Sequence, residues 1–219
     1  MIGGVERILT LEIKKSNLTK VNDSALYPYV KLGKLEISGH NNLHIGQNAF
    51  SNLKLLDQLT IIENHLSSLP NEIPTSLTWL DISDNILSAE ESLATILERY
   101  TLPDLEEFYL TNMSIAILPM VTKMGAINIH IFWAYHNQIT SVNAAIFHGC
   151  RSLEELDLSN NPLTRFPTPQ ELPNVLNTLL WLGLENAMLS CSAEDAWKNT
   201  QIEVGITGGK GSTGWSRTP

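Results

Sequence analysis

Cysteine is scarce in this chain of 219 residues, with Cys150 and Cys191 the only two. They allow at most one disulfide, so a scaffold stapled by several bridges is excluded and the fold must rest on a core. Also lacking is any run of about 18 apolar residues, which removes a membrane-spanning helix from consideration. Basic residues are in deficit, 14 Lys and Arg against 23 Asp and Glu, giving a net charge of -9. The sequence pI is near 5.1. With no basic stripe to neutralise phosphates, nucleic acid is not an expected partner, and neutral or basic partners are favoured. The six His show no metal-ligand spacing, and no Ser/His/Asp or Cys/His arrangement can be placed. The run from Gly205 to Thr213 imitates a phosphate loop only at a glance, because Val204 stands where the first Gly belongs and Gly211 follows Lys210. Neither an enzyme active site nor a cofactor or metal site is therefore expected.

What the chain does have is a recurring tooth. Leu153, Leu156, Leu158, Asn161 and Leu163 fit L-x-x-L-x-L-x-x-N-x-L, in which inward leucines alternate with outward residues along a short strand. The Asn serves a separate purpose. Where the chain leaves the strand, backbone groups turn inward with no sheet partner, and a buried amide has the donors and acceptor to satisfy them. The template recurs at Leu56-Leu59-Ile61-Asn64-Leu66, at Leu77-Leu80-Ile82-Asn85-Leu87 and at Ile129-Phe132-Ala134-Asn137-Ile139. Looser copies begin at Ile8 (with Ser16 at the Asn position), Leu32 (His40), Leu105 (Met113) and Leu179 (Ala187). Start positions 8, 32, 56, 77, 105, 129, 153 and 179 give periods of 24, 24, 21, 28, 24, 24 and 26 residues. Over about residues 5 to 190 the sequence resembles the leucine-rich repeat family. The resemblance implies an α/β solenoid, a curved horseshoe of about eight repeats. Its parallel sheet lines the concave face, and loops, 3-10 turns and one or more short helices form the convex face. Residues 1–190 form the repeat domain, and residues 191–219 a degenerate C-terminal cap remnant with a flexible tail.

The segments that return from one strand to the next differ. Ile45 to Leu53, with Phe50, and Val142 to Leu153, with Phe147, look like the I-x-x-x-x-F-x-x-L back turns of extracellular-type repeats, whose Phe residues stack into a convex spine. Leu69 to Leu77 is the shortest return, and Pro70 and Pro74 favour an extended path. The longest begins with a Ser88-Ala-Glu-Glu91 capping box and continues with Leu93, Ile96, Leu97 and Tyr100 at helical spacing, predicting a helix from about Ala89 to Tyr100. At the C-terminus, Cys191 two residues after Leu189 and Trp197 six after Cys191 hold the spacings of the cap in secreted members of the family. Ala193 replaces that cap's second Cys, so the cap looks eroded. Cys150, three residues before a repeat start, is expected to be a buried free thiol unpaired with Cys191. Met1 to Val5 lead straight into the first repeat without a signal peptide. Both a trimmed start and a mature chain whose first repeat caps itself poorly fit that observation.

Function in this fold lives on outward strand positions, the third, fifth and seventh of each tooth. In the C-terminal half these gather Trp79, Tyr109, Ile131, Trp133, Tyr135 and Trp181 with Asp81, Glu107, Glu155 and Asp157, and His136 adjoins Tyr135. Rigid rings among carboxylates are what a protein-binding hot spot looks like. Trp181 has a second reading, as a ring packed under the terminal cap. The function expected is therefore non-enzymatic recognition of a partner, a protein by its surface chemistry, on the concave face of a secreted protein or receptor ectodomain fragment. Alternatives are a cytosolic leucine-rich repeat regulator or a non-catalytic subunit of a secreted enzyme complex. The state expected is a monomer, or a weak oligomer through an uncapped end. Sequons at Asn17, Asn22 and Asn112 permit a secreted setting without establishing it.

Overall fold

The computed structural model describes residues 7–66, 68–85 and 92–205. Each tooth becomes a short strand because its inward apolar residues alternate with outward ones, and side chains along a strand point to opposite faces. The strands are β1 (Thr10–Lys14), β2 (Lys20–Val21), β3 (Lys34–Ser38), β4 (His44–Ile45), β5 (Gln58–Ile62), β6 (Trp79–Asp81), β7 (Glu107–Tyr109), β8 (Ile131–Trp133), β9 (Glu155–Asp157), β10 (Trp181–Gly183) and β11 (Glu203–Gly205). Nine of them form one parallel sheet in the order β1-β3-β5-β6-β7-β8-β9-β10-β11, and β2 pairs with β4 beside it. The register aligns equivalent tooth positions throughout, as in Trp79↔Glu107, Glu107↔Ile131 and Ile131↔Glu155. Behind the sheet lies one continuous core of tooth leucines, closed on the outer side by returns that include Phe50, Val121, Phe147 and Val175.

The returns carry α1 (Leu93–Leu97), α2 (Pro173–Leu176) and 3-10 turns at Ala144–Phe147 and Pro169–Glu171. The helix expected from Ala89 to Tyr100 is shorter at its far end, and its capping box lies outside the described residues. Two contacts explain the early stop. Glu98 leaves the helix to accept from the Met120 amide at 3.0 Å and from Lys123 Nζ at 2.7 Å. Tyr100 is drawn the other way, its hydroxyl donating to the Pro70 carbonyl at 2.6 Å. Phe50 and Phe147 are both buried, and Phe147 meets Phe132 edge-on at 6.1 Å. Cys150 is a free, buried thiol, and burial pushes its pKa up to about 11.

At the C-terminal end α3 (Cys191–Lys198) and β11 cover the core. Trp197 is buried there, with Nε1 donating to the Pro167 carbonyl at 2.8 Å and its ring 5.6 Å from Phe166. Gly205, the first residue of the Gly-rich run, ends β11. At the other end Leu11 and Ile13 of β1 are only half-buried.

The ninth tooth residue forms a ladder. Nδ2 of Asn64, Asn85, Asn137 and Asn161 donates to the sixth-position carbonyl of the preceding repeat (Ile37, Ile61, Leu110 and Ala134) at 2.7 to 3.0 Å. Their Oδ1 atoms accept in turn. His40 N–H reaches Asn64 at 3.2 Å, Asn64 N–H reaches Asn85 at 3.0 Å, and Met113 N–H reaches Asn137 at 2.9 Å. His40 replaces the amide in its own repeat, its ring nitrogens lying 3.0 and 2.8 Å from the Ile13 and Ser16 carbonyls. Met113 is the weak rung, offering Asn85 N–H only a thioether at 3.3 Å.

One residue earlier, the eighth position is left-handed in every repeat: Lys15, Gly39, Glu63, Asp84, Asn112, His136, Asn160 and Asn186 all have φ between 44° and 72°. This backbone state costs an ordinary side chain about 1 to 2 kcal/mol, and Gly, Asn and Asp adopt it most readily. Glu63 is exposed, so its side chain offers little packing in return. Glu63→Asn should raise stability by about 0.5 to 1 kcal/mol, read as a higher urea midpoint at unchanged slope. A midpoint at or below that of the parent would refute the strain assigned to this position.

Candidate functional site

Strands β6 to β9 present a grid of three rows to the concave face. The third-position row runs Trp79, Glu107, Ile131, Glu155, and the fifth-position row runs Asp81, Tyr109, Trp133, Asp157, with partners fixed by strand pairing. The seventh positions Ser83, Thr111, Tyr135 and Ser159 form the third row. Most of these hydroxyl residues do not project as alternation alone suggests. Ser83, Thr111 and Ser159 are buried at the point where the chain leaves its strand. There they join the backbone: Ser83 Oγ accepts from Thr111 N–H at 3.0 Å, and Ser159 Oγ from Glu185 N–H at 3.2 Å. Only Tyr135, too long to fold under, reaches out among them.

The aromatic residues touch one another across strands. Trp79 and Tyr109 lie 4.7 Å apart between ring centroids, Tyr109 and Trp133 5.2 Å in an edge-on pair, and Trp133 and Tyr135 6.3 Å. His136 extends the row, 5.5 Å from Tyr135 and itself exposed. Tyr109 sits between the two indoles and is only 8% exposed, while Trp79, Trp133 and Tyr135 remain half-buried. Its hydroxyl donates to Glu107, and burial together with that bond holds its pKa above the usual tyrosine value. Trp133 Nε1 is buried and has no hydrogen-bond partner. An N–H withdrawn from water without an acceptor is unfavourable, which is unusual on a folded surface.

Carboxylates frame the rings. Asp81 and Asp157 each turn Oδ1 back to the amide two residues on, Ser83 and Ser159 respectively, at 2.9 Å. Burial raises the pKa of both, and the serine hydrogen bonds oppose the rise only in part. Glu107 and Glu155 hold the third-position row beside them. Within the grid there is no Lys or Arg. The contrast with β1 and β3 is sharp, because Lys14 Nζ there lies 3.1 Å from Glu12 and 3.0 Å from Glu36, so these acids carry their own counterion.

Trp181 is placed differently from the other aromatics on this face. It lies on β10, two strands from Ile131 and across from Glu155 and Glu203. A Cβ on Gly183 would come within 2.5 Å of the Trp181 ring and 2.3 Å of Asp157 Oδ1, so the missing side chain at 183 makes room for both. The indole thus lies over its own strand, toward Gly205 of the cap strand. Neither the orphaned Trp133 Nε1 nor the rim pairs Asn112 Nδ2 to Asp84 at 2.8 Å and Asn186 Nδ2 to Asn160 at 2.6 Å are expected from residue pattern alone. The recurrence of Asn and Asp at the eighth position was the available signal for those pairs. Among the described residues no cluster of His, Cys, Asp and Glu is arranged to hold a metal, and no helix is long and apolar enough to cross a membrane. The chemistry on offer is that of binding: ring faces, one buried donor and fixed carboxylates.

Comparison with known proteins agrees with this architecture. The family model described as BspA type Leucine rich repeat region (6 copies) matches residues 4–73, and the Leucine Rich Repeat model matches residues 152–175. Epiphycan of Homo sapiens is 25% identical over 162 residues, covering 71% of this chain and 48% of epiphycan. Podocan-like protein 1 of Mus musculus is 31% identical over 144 residues, covering 65% of this chain and 20% of that protein. The chain thus spans less than half the length of these relatives. Among solved structures, a chain in the octameric complex of Latrophilin 3 (Lec, Olf), Unc5D (Ig, Ig2, TSP1) and FLRT2 (LRR) superposes with a TM-score of 0.65. It is 21% identical and covers 93% of this chain and 70% of the matched one, a likeness of fold.

Proposed function

We propose, starting from the fact that this chain belongs to the leucine-rich repeat family, that it is a recognition module binding a partner protein on the concave face of β6 to β9. The observation that carries this reading is the ring-to-ring row Trp79, Tyr109, Trp133 and Tyr135, set among Asp81, Glu107, Glu155 and Asp157 with Ile131 at its centre. A folded chain gains nothing in solubility by turning Trp79, Trp133 and Tyr135 partly toward water from the repeats of β6 and β8, whereas an interface centre uses such rings as anchors. Nine strands about 4.8 Å apart give a face roughly 38 Å long, room for a standard interface of about 800 Å² per partner. The solved complex named above is itself an assembly of a leucine-rich repeat component with other protein domains, which supports a protein partner here. The cap formed by α3 and Trp197 and the resemblance to extracellular-type repeats support an extracellular setting. The role is non-enzymatic.

A photo-cross-linking residue placed at Ile131 tests the reading against one at Ile117, an exposed position outside the strands. The partner should be captured from position 131 and not from 117. Capture from 117 alone would move the binding surface off the sheet.

A further inference from the structure

We infer that the centre of the concave grid receives an arginine side chain of the partner, its guanidinium laid against Trp133 and Tyr135 and paired with Asp157, while Asp81, three strands away in the same row, adds to the acidic field that draws it in. This inference rests on the concave-face reading above and specifies its chemistry.

Charge is the first observation. Twelve positions on four strands include four carboxylates and no Lys or Arg. Asp84 and Glu185 add two more acids at the rim, where each lies close enough to raise the pKa of a grid aspartate. Among the described residues the basic group beside the rings is His136, and His130 on the outer edge already faces Glu154 at 3.7 Å. Acids at the first strands of the same sheet are paired by Lys14, so an unpaired acidic grid is not a property of the sheet as a whole.

Geometry is the second. Asp157 lies directly across from Trp133 in the strand register, and Asp81 lies directly across from Tyr109. Neighbouring strands are about 4.8 Å apart, so a planar cation stacked on the ring of one strand reaches the carboxylate of the next. Arginine suits this better than lysine because its flat fork stacks on aromatic faces and donates two parallel bonds to one carboxylate. Aromatic faces add cation–π attraction, larger where water is excluded.

The third observation is independent of charge. Trp133 Nε1 is a buried donor with nothing to donate to. A cation cannot satisfy it, whereas a peptide carbonyl does once the indole turns its N–H outward, so an arginine carried on a chain whose backbone comes down beside the ring fits better than a free cation. A free polyamine or a metal ion would leave that donor as it is.

The carboxylates also show what the fold gives up to keep this site. A folded-state pKa raised above the unfolded one means that the protonated form is favoured on folding. The associated stability is present below the unfolded pKa and is lost as pH rises through the raised value. At neutral pH Asp81 and Asp157 are therefore a net cost to the free protein. Asn at either position keeps an oxygen for the Ser83 or Ser159 amide and removes the charge, so the double variant Asp81→Asn/Asp157→Asn should melt higher than the parent at pH 7.

The test titrates isotope-labelled protein at low salt with the peptide acetyl-Gly-Gly-Arg-Gly-Gly-amide, following the Trp133 indole N–H by NMR. Saturable movement of that resonance is expected. The same peptide with citrulline, uncharged but nearly the same shape, should bind about tenfold more weakly, and the lysine peptide should fall between. The Asp81→Asn/Asp157→Asn protein should lose about tenfold or more in affinity for the arginine peptide while melting no lower than the parent. Glu12→Gln/Glu36→Gln, an equal charge change at the other end of the sheet, should leave affinity within about twofold once salt screening is matched. Equal binding of arginine and citrulline peptides overturns the inference. So does no saturable shift in the parent, undiminished binding by the Asn variant, or an equal loss in the Gln variant. Cross-linking from position 131 with any of these results would leave the concave reading standing and remove only the arginine. Cross-linking from position 117 alone would remove the reading itself.

Discussion

Asn137→Leu will destabilise the protein by about 3 kcal/mol or more, a fall in Tm of about 6 to 12 °C for a chain of this size. One side chain there serves four backbone groups within 3.2 Å and a fifth, the Tyr135 carbonyl, at 3.3 Å. Oδ1 accepts from the Met113 amide at 2.9 Å and from the Ile115 amide at 3.2 Å. Nδ2 donates to the Leu110 carbonyl at 2.7 Å and to the Ala134 carbonyl at 2.9 Å. Leucine matches the residue in branching but is bulkier and offers none of these bonds, and each group left unpaired in the core costs about 1 to 3 kcal/mol. The repeat just before it has the ladder's weakest rung, the Met113 thioether, so no neighbouring amide can take up the loss. Thermal melting checks this, and a midpoint within about 2 °C of the parent would show that water or backbone movement meets the same groups.

Trp133→Ala will weaken partner binding by about 2 kcal/mol or more, close to thirtyfold in Kd, while the fold persists. The indole projects on the sheet side, and the residue holding β8 to the core is its neighbour Phe132, stacked on Phe108 at 5.3 Å. Removing the indole takes away the edge-on partner of Tyr109 and the neighbour of Tyr135, which lowers stability modestly. It also removes an N–H that has no acceptor, an effect of opposite sign. Surface plasmon resonance against the captured partner, with a melting curve for the variant, gives both numbers. A folded variant with the parent's affinity would sink the concave site and direct attention to the convex face around α1.

Much of this was legible in the residues. The tooth starts at 8, 32, 56, 77, 105, 129, 153 and 179 set strands whose equivalent positions pair in the sheet, because a buried parallel sheet reads its register from inward leucines. The Asn rungs were equally plain. Harder was His40, where a ring does the work of an amide and no spacing rule announces it. The eighth-position backbone went unread because its residues, from Lys15 to Asn186, share a φ and not a chemistry. Strict alternation also misplaced Ser83, Thr111 and Ser159, since the strand ends at the fifth position and the turn carries small hydroxyls inward. Strand β11 was missed for a different reason. Glu203, Val204 and Gly205 follow no tooth pattern, and they extend because the open edge of β10 supplies ladder partners. As for the site, residue types and strand faces came from the sequence, whereas ring contacts, the orphaned indole donor and the position of Trp181 over Gly183 depend on side-chain conformation.

The unequal repeat lengths bear on where this molecule tolerates change. The Asn64 to Asn85 rung spans 21 residues and the next, Asn85 to Met113, spans 28. Strand pairing across β5, β6 and β7 nevertheless keeps the same register. Among the described residues the differences in length fall outside the sheet, on the outer arc, where the short proline-bearing return leaves a hollow of about 380 Å³ bordered by Phe50, Ile73, Pro74 and Tyr100. Loops can therefore be lengthened, shortened or fused to other domains along that arc without displacing a ring or a carboxylate on the opposite side. The outer surface is free to diversify, and the inner one is held to a fixed lattice.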